Sequence, residues 1–589
     1  MSLADVKLHL VDDLDTANAL MSWLGERRAG SIAVDTETTG LDVKHDVVRL
    51  AQVGDEMHGW AIPWVRWGGV FEEVLRRYTG RIVGHNIIQY DAPILRNSCG
   101  ITLTPDRVDD TILKAHVLEP NMSVGLKNLA VRHVDPMAAA LQDQLKGGTW
   151  GFDDVPVEYG PYWQYGAMDT VLTARVDPIL DARLTATDSR RSYDLEAAAA
   201  WVVAKMQDNG VYVDRPFAQQ HFDHFRACAQ QLSDWCKMHY DVRPSQNASV
   251  AQRLIAEGVP LDKTTATGAV ALDKEILGPI DHPLAQVVLQ HRQYSKLANT
   301  YIKHFLERTS DDDPRLRPSI RSCGAKTSRM TMQDPNLQNL PRRSESNANA
   351  IAVRDCLVAS PEHTLLMVDY DQIELRWIGH LAGSEGLRIA FADQDVDVFT
   401  HAARELFAEA TMGKGDERRQ HTKNAFYAQG YGAGAAKFAK TAGLSPEYGQ
   451  YMYDQIDERY GLKSLSKMVE RKALDRLALE GVAYARSPLT GRRHPMDDDK
   501  QYTLVNKLVQ GAAAELLKMK LVELDMAGFG PYLVLPVHDE IIFDAPTEGL
   551  REFAMEACQI MADPDLISIP ITVAPSVGHR WGQKEDFKL

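Results

Sequence analysis

Two kinds of hydrophobic pattern alternate along the chain. Up to about residue 190, short apolar runs such as SIAVDTETTG and RIVGHN are interleaved with VFEEVLRRY, LKNLAVRHV and DTVLTARVDPILDARL, where apolar residues recur every three or four positions. Period two marks a strand and period 3.6 a helix, so this stretch predicts an α/β domain. From about 191 to 310 the helical period takes over. SYDLEAAAAWVVAKMQDNG ends on the glycine that helix C-termini favour, FAQQHFDHFRACAQQLSDWCKMH and HPLAQVVLQHRQYSKLANTYIKHFL follow, and SDDDPRLRP stops the run. The remainder mixes both types: TLLMVDYDQIEL and YLVLPVHDEIIFDA read as strands, DERRQHTKNAFYAQG and TLVNKLVQGAAAELLKMKLVEL as helices.

Both of those late strands carry acids at or near their apolar centres, Asp369 in one and Asp539 in the other. Carboxylates enter such strands only when paired or bound to metal, so these two positions call for a functional reason. A second set lies in the α/β part. In IAVDTETTG, strand alternation points Asp35 and Glu37 to one face, a geometry that can clamp a divalent cation. Asp91 follows in VGHNIIQYD, and Asp169 in YWQYGAMDT, where Tyr165 stands one helical turn earlier on the same face. Four acids and a tyrosine suit hydrolysis by two hard cations: one activates water, and both stabilise the attacking and leaving oxygens.

In ERRQHTKNAFYAQGYG, Arg419, Lys423, Tyr427 and Tyr431 recur every four residues and form one helical stripe. Cations at one end and aromatics at the other match a nucleotide, with ionic contact for its phosphates and a flat surface for its base.

Composition adds bounds. A chain of 589 residues exceeds what one core supports, so several domains are expected. The formal net charge of −16 argues against a polyanionic partner, but a basic groove can coexist with acidic outer faces and with carboxylates kept for metal. The six cysteines form no CxxC pair and read as reduced thiols. The N-terminus lacks the cationic and apolar regions of a signal peptide and no apolar run approaches a membrane span, so a cytoplasmic protein without membrane contact is expected.

The ordered set Asp35, Glu37, Asp91, Tyr165 and Asp169 resembles the proofreading 3′–5′ exonuclease superfamily. DYDQIELR, the Arg419 helix and VHDE together resemble the three core motifs of family A DNA polymerases, the bacterial DNA polymerase I group. The resemblance implies a ribonuclease H-like α/β exonuclease domain over 1–190 and an α+β right-hand polymerase. Its thumb and connecting helices would span 191–310, the palm 311–390 and 501–589, and the fingers 391–500. It implies Mg²⁺, two ions per site with Mn²⁺ as a possible substitute, held by Asp369 and Asp539 in one site and by Asp35, Glu37, Asp91 and Asp169 in the other. Glu540 would be secondary and His538 a primer contact. Arg419 and Lys423 would grip the triphosphate, Tyr427 pack on the sugar and Tyr431 sit near the templating base. Gln372 would belong to the dNTP site, and Glu374 would block a ribose 2′-hydroxyl. By the same resemblance Arg329, Asn336 and Gln338 of KTSRMTMQDPNLQNLPRR contact primer or template. Asn506 and Gln510 of NKLVQG are placed to read minor-groove acceptors common to all base pairs. HRQYSKLANTY, with Arg292, Lys296 and Tyr301, resembles the end of the thumb, and SPLTGRRHP, with Arg492 and Arg493, a fingers-side template contact.

The pattern is broken in places. Asp371 stands for the usual serine in DYSQIELR, Ser328 for glycine, MTM for LSS, and Pro536 for a glutamine. Tyr502 replaces an arginine that binds template. Phe399 occupies the place of a phosphate-touching histidine, for which His401 is a candidate substitute. The short stretch ahead of the exonuclease strand leaves no room for a 5′-nuclease domain, and no insertion for a processivity partner is evident. The expected protein is therefore a compact polymerase of bacteriophage type, probing primer–template DNA and dNTPs as a monomer, with helicase and single-strand-binding protein as possible replisome partners. The alternative is an exonuclease, or a DNA-binding protein, with an inactive polymerase domain.

Overall fold

The computed structural model describes residues 3–27, 30–139, 143, 150, 154–265, 267–341, 351–392, 397–413, 415–497 and 500–589. Six strands near the N-terminus, β1 (Lys7–Leu10), β2 (Ser31–Thr38), β3 (Val48–Gly54), β4 (His58–Pro63), β5 (Arg81–Gly84) and β6 (Val108–Asp110), form one sheet in the order β1-β4-β3-β2-β5-β6. β2 runs antiparallel to β3 and parallel to β5, which is parallel to β6. This is the mixed sheet expected of a ribonuclease H-like domain. Helices α1 (Asp91–Cys99), α2 (Leu126–His133) and α3 (Gly160–Ala186) accompany it. α3 lies so close to the sheet that a Cβ on Gly59 would stand 2.2 Å from the carbonyl oxygen of Ala167, and one on Gly166 2.3 Å from Gln52 Nε2. Only glycine allows this approach, which brings the N-terminal half of α3, with Tyr165 and Asp169, against β3 and β4.

α4 (Arg190–Asn209) ends at Gly210, whose φ of +61° suits glycine, and α5 (Arg215–Tyr240) starts at the cap of Asp214. The long helix expected after 282 is interrupted. α6 (Pro283–Lys296) passes through a wide π-helical turn at Leu297–Ile302 before resuming at Lys303–Glu307.

The C-terminal part is built on an antiparallel sheet of β7 (His363–Tyr370), β8 (Leu533–Val537), β9 (Glu540–Pro546), β10 (Val573–Gly578) and β11 (Glu585–Asp586), in the order β8-β9-β7-β10-β11. Two segments read as single strands are divided here. TLLMVDYDQIEL leaves the sheet after Tyr370, Gln372 takes a left-handed φ of +53°, and α7 (Ile373–Ala382) begins. YLVLPVHDEIIFDA folds back on itself, with His538 and Asp539 in the connection between β8 and β9 and His538 at φ +59°. The flanks of that pair are buried apolar strands, and a turn is where a polar pair avoids the cost of entering them. A helical lobe contains α8 (Val398–Phe407), α9 (Glu417–Gly430) and α10 (Lys463–Glu480), and α11 (Leu504–Met526) is buried along most of its length against α4 and α7. Among the described residues no helix is long and apolar enough to cross a membrane.

Candidate active sites

β2 carries Asp35 and Glu37, and Thr36 between them donates its hydroxyl to Asp91 Oδ1 at 2.6 Å, tying the start of α1 to the strand. α3 supplies Tyr165 and Asp169. Burial raises the carboxyls of Asp35 and Glu37 to about 8, with Glu37 adding to the rise of Asp35 and Asp91 to that of Glu37, and burial and Asp35 push Asp91 well above the ordinary range. Lys127 on α2 enters the same cluster. It forms an ion pair with Asp169, its Nζ lies 4.5 Å from the centre of the Tyr165 ring, and burial lowers its ammonium to about 8 against the pull of Asp35 and Glu37. In the sequence Lys127 is one of several cations in the amphipathic LKNLAVRHV and gives no signal, because the acids it meets are distant along the chain. As placed, no three His, Cys, Asp or Glu side chains among the described residues close on one point. Four carboxyls against one ammonium nevertheless leave a shortage of positive charge, which divalent ions with oxygen ligands satisfy.

The second constellation is organised by the C-terminal sheet. Asp369, near the end of β7, is exposed, and the ladder sets it opposite Glu540. The amide of Tyr370 donates to the carbonyl of Asp539 at 3.2 Å, so the two aspartates that the sequence holds far apart are backbone neighbours. Burial raises Asp539, opposed by Arg329 and His538. Glu540 is buried and accepts from Lys584 Nζ at 2.6 Å. Arg329 forms an ion pair with Glu374, whose carboxyl is raised by burial and by Asp539 against the pull of Arg329. Arg329, Gln338, His538 and Asp539 line a cavity of about 200 Å³, whose far wall is Ala514 and Leu517 of α11.

α9 brings the predicted stripe to this place. The hydroxyl of Tyr427 is raised by burial, then by Glu374, Asp539 and Asp371, and its ring stacks with Tyr431 at 6.1 Å. Arg419 is held by Asp397 at 2.7 Å and by the Thr400 hydroxyl at 2.9 Å, whereas Lys423 has no ion pair among the described residues. Phe399 is the buried base under both cations, with its ring 5.8 Å from Arg419 Cζ and 5.5 Å from Lys423 Nζ. His401 faces Glu405 at 3.5 Å, one turn along α8.

Several buried polar atoms on expected contact residues lack partners among the described residues: Asn336 Oδ1, Gln372 Oε1, Tyr431 Oη and Asn506 Oδ1. Gln510 lies one turn beyond Asn506 on α11, and Lys296 and Tyr301 line a cavity with Asn336. One expected DNA contact is corrected. Arg492 is 1% exposed and its guanidinium is spent on Glu196 and His116, so it is an internal cation. Arg292 donates to the carbonyl of Leu272 and to Asn247, fastening one part of the helical segment to another. Arg493 packs over Tyr484 at 4.4 Å and pairs with Glu480 at 3.3 Å. Two departures now have a physical account. Asp371 accepts from Arg376 Nη2 at 2.6 Å and is thereby neutralised, and Pro536 lies on β8, the sheet edge, where a missing N–H is tolerated.

Comparison with known proteins gives a consistent picture. The family model described as DNA polymerase family A matches residues 226–583, and one described as 3′–5′ exonuclease matches residues 8–185. The DNA polymerase of Mycobacterium phage D29 is 28% identical, covering 94% of this chain and 93% of the relative. DNA polymerase I of Pseudomonas aeruginosa is 26% identical, covering 95% of this chain and 64% of that protein. Among solved structures, the POL domain of Pol1 from M. smegmatis, in complex with DNA primer-template and dNTP, superposes with a TM-score of 0.80 at 22% identity, over 98% of this chain and 99% of that one.

Proposed function

The chain belongs to DNA polymerase family A, with a 3′–5′ exonuclease domain ahead of the polymerase, and from this premise we propose that Asp369 and Asp539 serve synthesis while Asp35, Glu37, Asp91 and Asp169 serve proofreading. The observation that carries the residue assignment is the backbone hydrogen bond that sets Asp369 and Asp539 side by side, and it is supported by buried polar atoms on Asn336, Gln372, Tyr431 and Asn506 that lack partners among the described residues. Buried polar groups are normally satisfied, and residues that leave these atoms open suit a polar ligand. Primer–template DNA and a dNTP supply the missing groups.

In this reading Arg419 and Lys423 bind the triphosphate, Tyr427 packs on the sugar, Glu374 excludes the 2′-hydroxyl, and Arg329, Gln338, Asn506, Gln510 and His538 hold the primer and template near its end. Mg²⁺, or Mn²⁺ in its place, when bound to the carboxylates supplies charge neutralisation on the phosphates and activation of the attacking oxygen. The protein's own contribution is placement: the β7–β9 ladder fixes Asp369 beside Asp539, and Asp397 orients Arg419. In the exonuclease Tyr165 orients water, and Lys127 balances part of the charge of the acids that would hold the ions. The chain acts as a monomer in the cytoplasm, for a phage in that of its host, with helicase and single-strand-binding protein as neighbours.

The test is primer extension and single-strand digestion by the purified chain in Mg²⁺ and after chelation. Both activities should appear with Mg²⁺ and vanish with chelator; failure of extension in Mg²⁺ would refute the assignment. Tyr427 adds a sharper expectation. Burial and the neighbouring carboxylates keep its hydroxyl protonated and able to donate, so it can replace a sugar 3′-hydroxyl that is absent. Dideoxynucleotides should be incorporated readily, and Tyr427→Phe should restore discrimination by roughly tenfold or more, the value of one lost hydrogen bond of about 1.4 kcal/mol. Equal selectivity in both proteins would remove this role.

A further inference from the structure

Away from both active sites, five ionisable side chains are buried together where the exonuclease domain meets the polymerase: Arg492 and Glu196 are 1% exposed, Lys518 and Glu515 0%, and His116 7%. Arg492 Nη1 donates to Glu196 Oε1 at 2.6 Å, and its Nη2 donates to the carbonyl of His116 at 3.1 Å. Lys518 Nζ donates to both Glu196 oxygens at 2.7 Å, and Ser487 donates to Glu515 at 2.6 Å. Such clusters are poor sources of stability, because desolvating the ions offsets most of their attraction and apolar residues would serve as well. Their geometry is the informative part.

The remaining donor of Lys518 goes to a backbone atom, the carbonyl oxygen of Ser328, at 2.6 Å. Ser328 holds a left-handed φ of +65°, a conformation unfavourable for a residue with a side chain, and its own hydroxyl is buried without a partner among the described residues. Two backbone bonds of the turn, Ser328 N–H to the Ala325 carbonyl at 2.9 Å and Ala325 N–H to the Arg329 carbonyl at 3.2 Å, hold it there together with the Lys518 ammonium. The next residue is Arg329, whose guanidinium pairs with Glu374 and acts on Asp539. One buried lysine therefore braces the turn from which the Arg329–Glu374 pair is projected.

We propose that Lys518 is a positioning residue for sugar selection and primer grip, acting through the Ser328 carbonyl on Arg329 and through Arg329 on Glu374. The proposal rests on the reading of Glu374 as the sugar gate and Arg329 as a primer contact. Glu196 and Arg492 hold Lys518 in turn, so the exonuclease helix bearing His116 forms one wall of the same support. Glu515 belongs to the cluster but does not touch Ser328, which makes it the internal control.

The experiment measures single-turnover incorporation of a dNTP and the matching rNTP, and KM for primer–template, in the parent and in Lys518→Met, Lys518→Arg, Arg329→Ala, Glu374→Ala, Glu515→Gln and Lys518→Met/Arg329→Ala. Lys518→Met should lower discrimination against the ribonucleotide and raise KM for DNA, each by roughly threefold to thirtyfold, as expected for a neighbour coupled through one buried contact. Lys518→Arg should recover part of both losses, and single-strand digestion should stay at the parent rate. Glu515→Gln should lower the Tm without changing discrimination. In the Arg329→Ala background, Lys518→Met should cause no further loss. Should Lys518→Met not fold, Lys518→Met/Glu196→Gln removes one charge of each sign and still lacks the donor to Ser328. Unchanged discrimination in whichever of these folds, or fully additive losses with Arg329→Ala, would overturn the proposal. If Glu374→Ala and Arg329→Ala themselves leave discrimination and KM unmoved, the underlying reading of the site fails instead.

Discussion

Asp369→Ala should lower primer extension by roughly 10³-fold or more, the loss expected when charge stabilisation of several kcal/mol is removed from a phosphoryl-transfer site, while single-strand digestion stays at the parent rate. The side chain of Asp369 is exposed at the end of a strand whose preceding residues, Leu365 to Val368, form the buried core. Little packing is lost with it, so the Tm should hold. Asp539, its backbone neighbour, keeps its place through the Tyr370 amide. Asp371→Asn is the comparison: that acid is already neutralised by Arg376, and its replacement should leave most of the extension intact. Near-parent extension by Asp369→Ala would sink the assignment of the polymerase centre.

Asp35→Asn should produce the complementary loss, with digestion reduced by roughly 10²-fold or more and extension retained. A second outcome follows from burial. The folded-state carboxyls of Asp35 and Glu37 stand near 8, above their ordinary values of 3.8 and 4.5. A raised carboxyl contributes stability that is fully present below the unfolded value and is lost as pH rises toward the folded one. In chelator, the parent's Tm should therefore fall between pH 5 and pH 8. Asp35→Asn, lacking one of these acids, should fall less over that interval and gain less from added Mg²⁺. Thermal melts with and without Mg²⁺ at the two pH values check this; parallel curves for parent and variant would mean that the cluster is not strained in the metal-free state.

Much of this was legible in the sequence because the acids sit where acids should not be. Asp35 and Glu37 share a strand face by alternation alone, and Asp169 follows Tyr165 by one turn, so both expectations needed only local geometry. The interruption of YLVLPVHDEIIFDA was missed because apolar residues on both sides of His538 and Asp539 mask a tight turn that lacks glycine. Lys127 was passed over and Arg492 misread for a different reason: a cation on an amphipathic helix or in a basic pair looks the same whether its partner is water or a distant carboxylate. What distinguishes them, Asp169 for one and Glu196 for the other, is fixed by tertiary packing. Lys518 and Ser328 are more remote still, since a lysine bonded to a backbone carbonyl leaves no pattern in the chain.

Pro536 has a consequence beyond its tolerance at the sheet edge. Its carbonyl accepts from Gln338 Nε2 at 3.3 Å and therefore points away from β9, and in an extended strand the nitrogen of the same residue faces the same way. The outer rim of the sheet beside the Asp539 turn thus offers no donor at that position, and Gln338 covers its acceptor. Such a rim is closed to strand addition by a second molecule. An enzyme that must keep this cleft open for long DNA thereby avoids presenting a template for self-association at the same place.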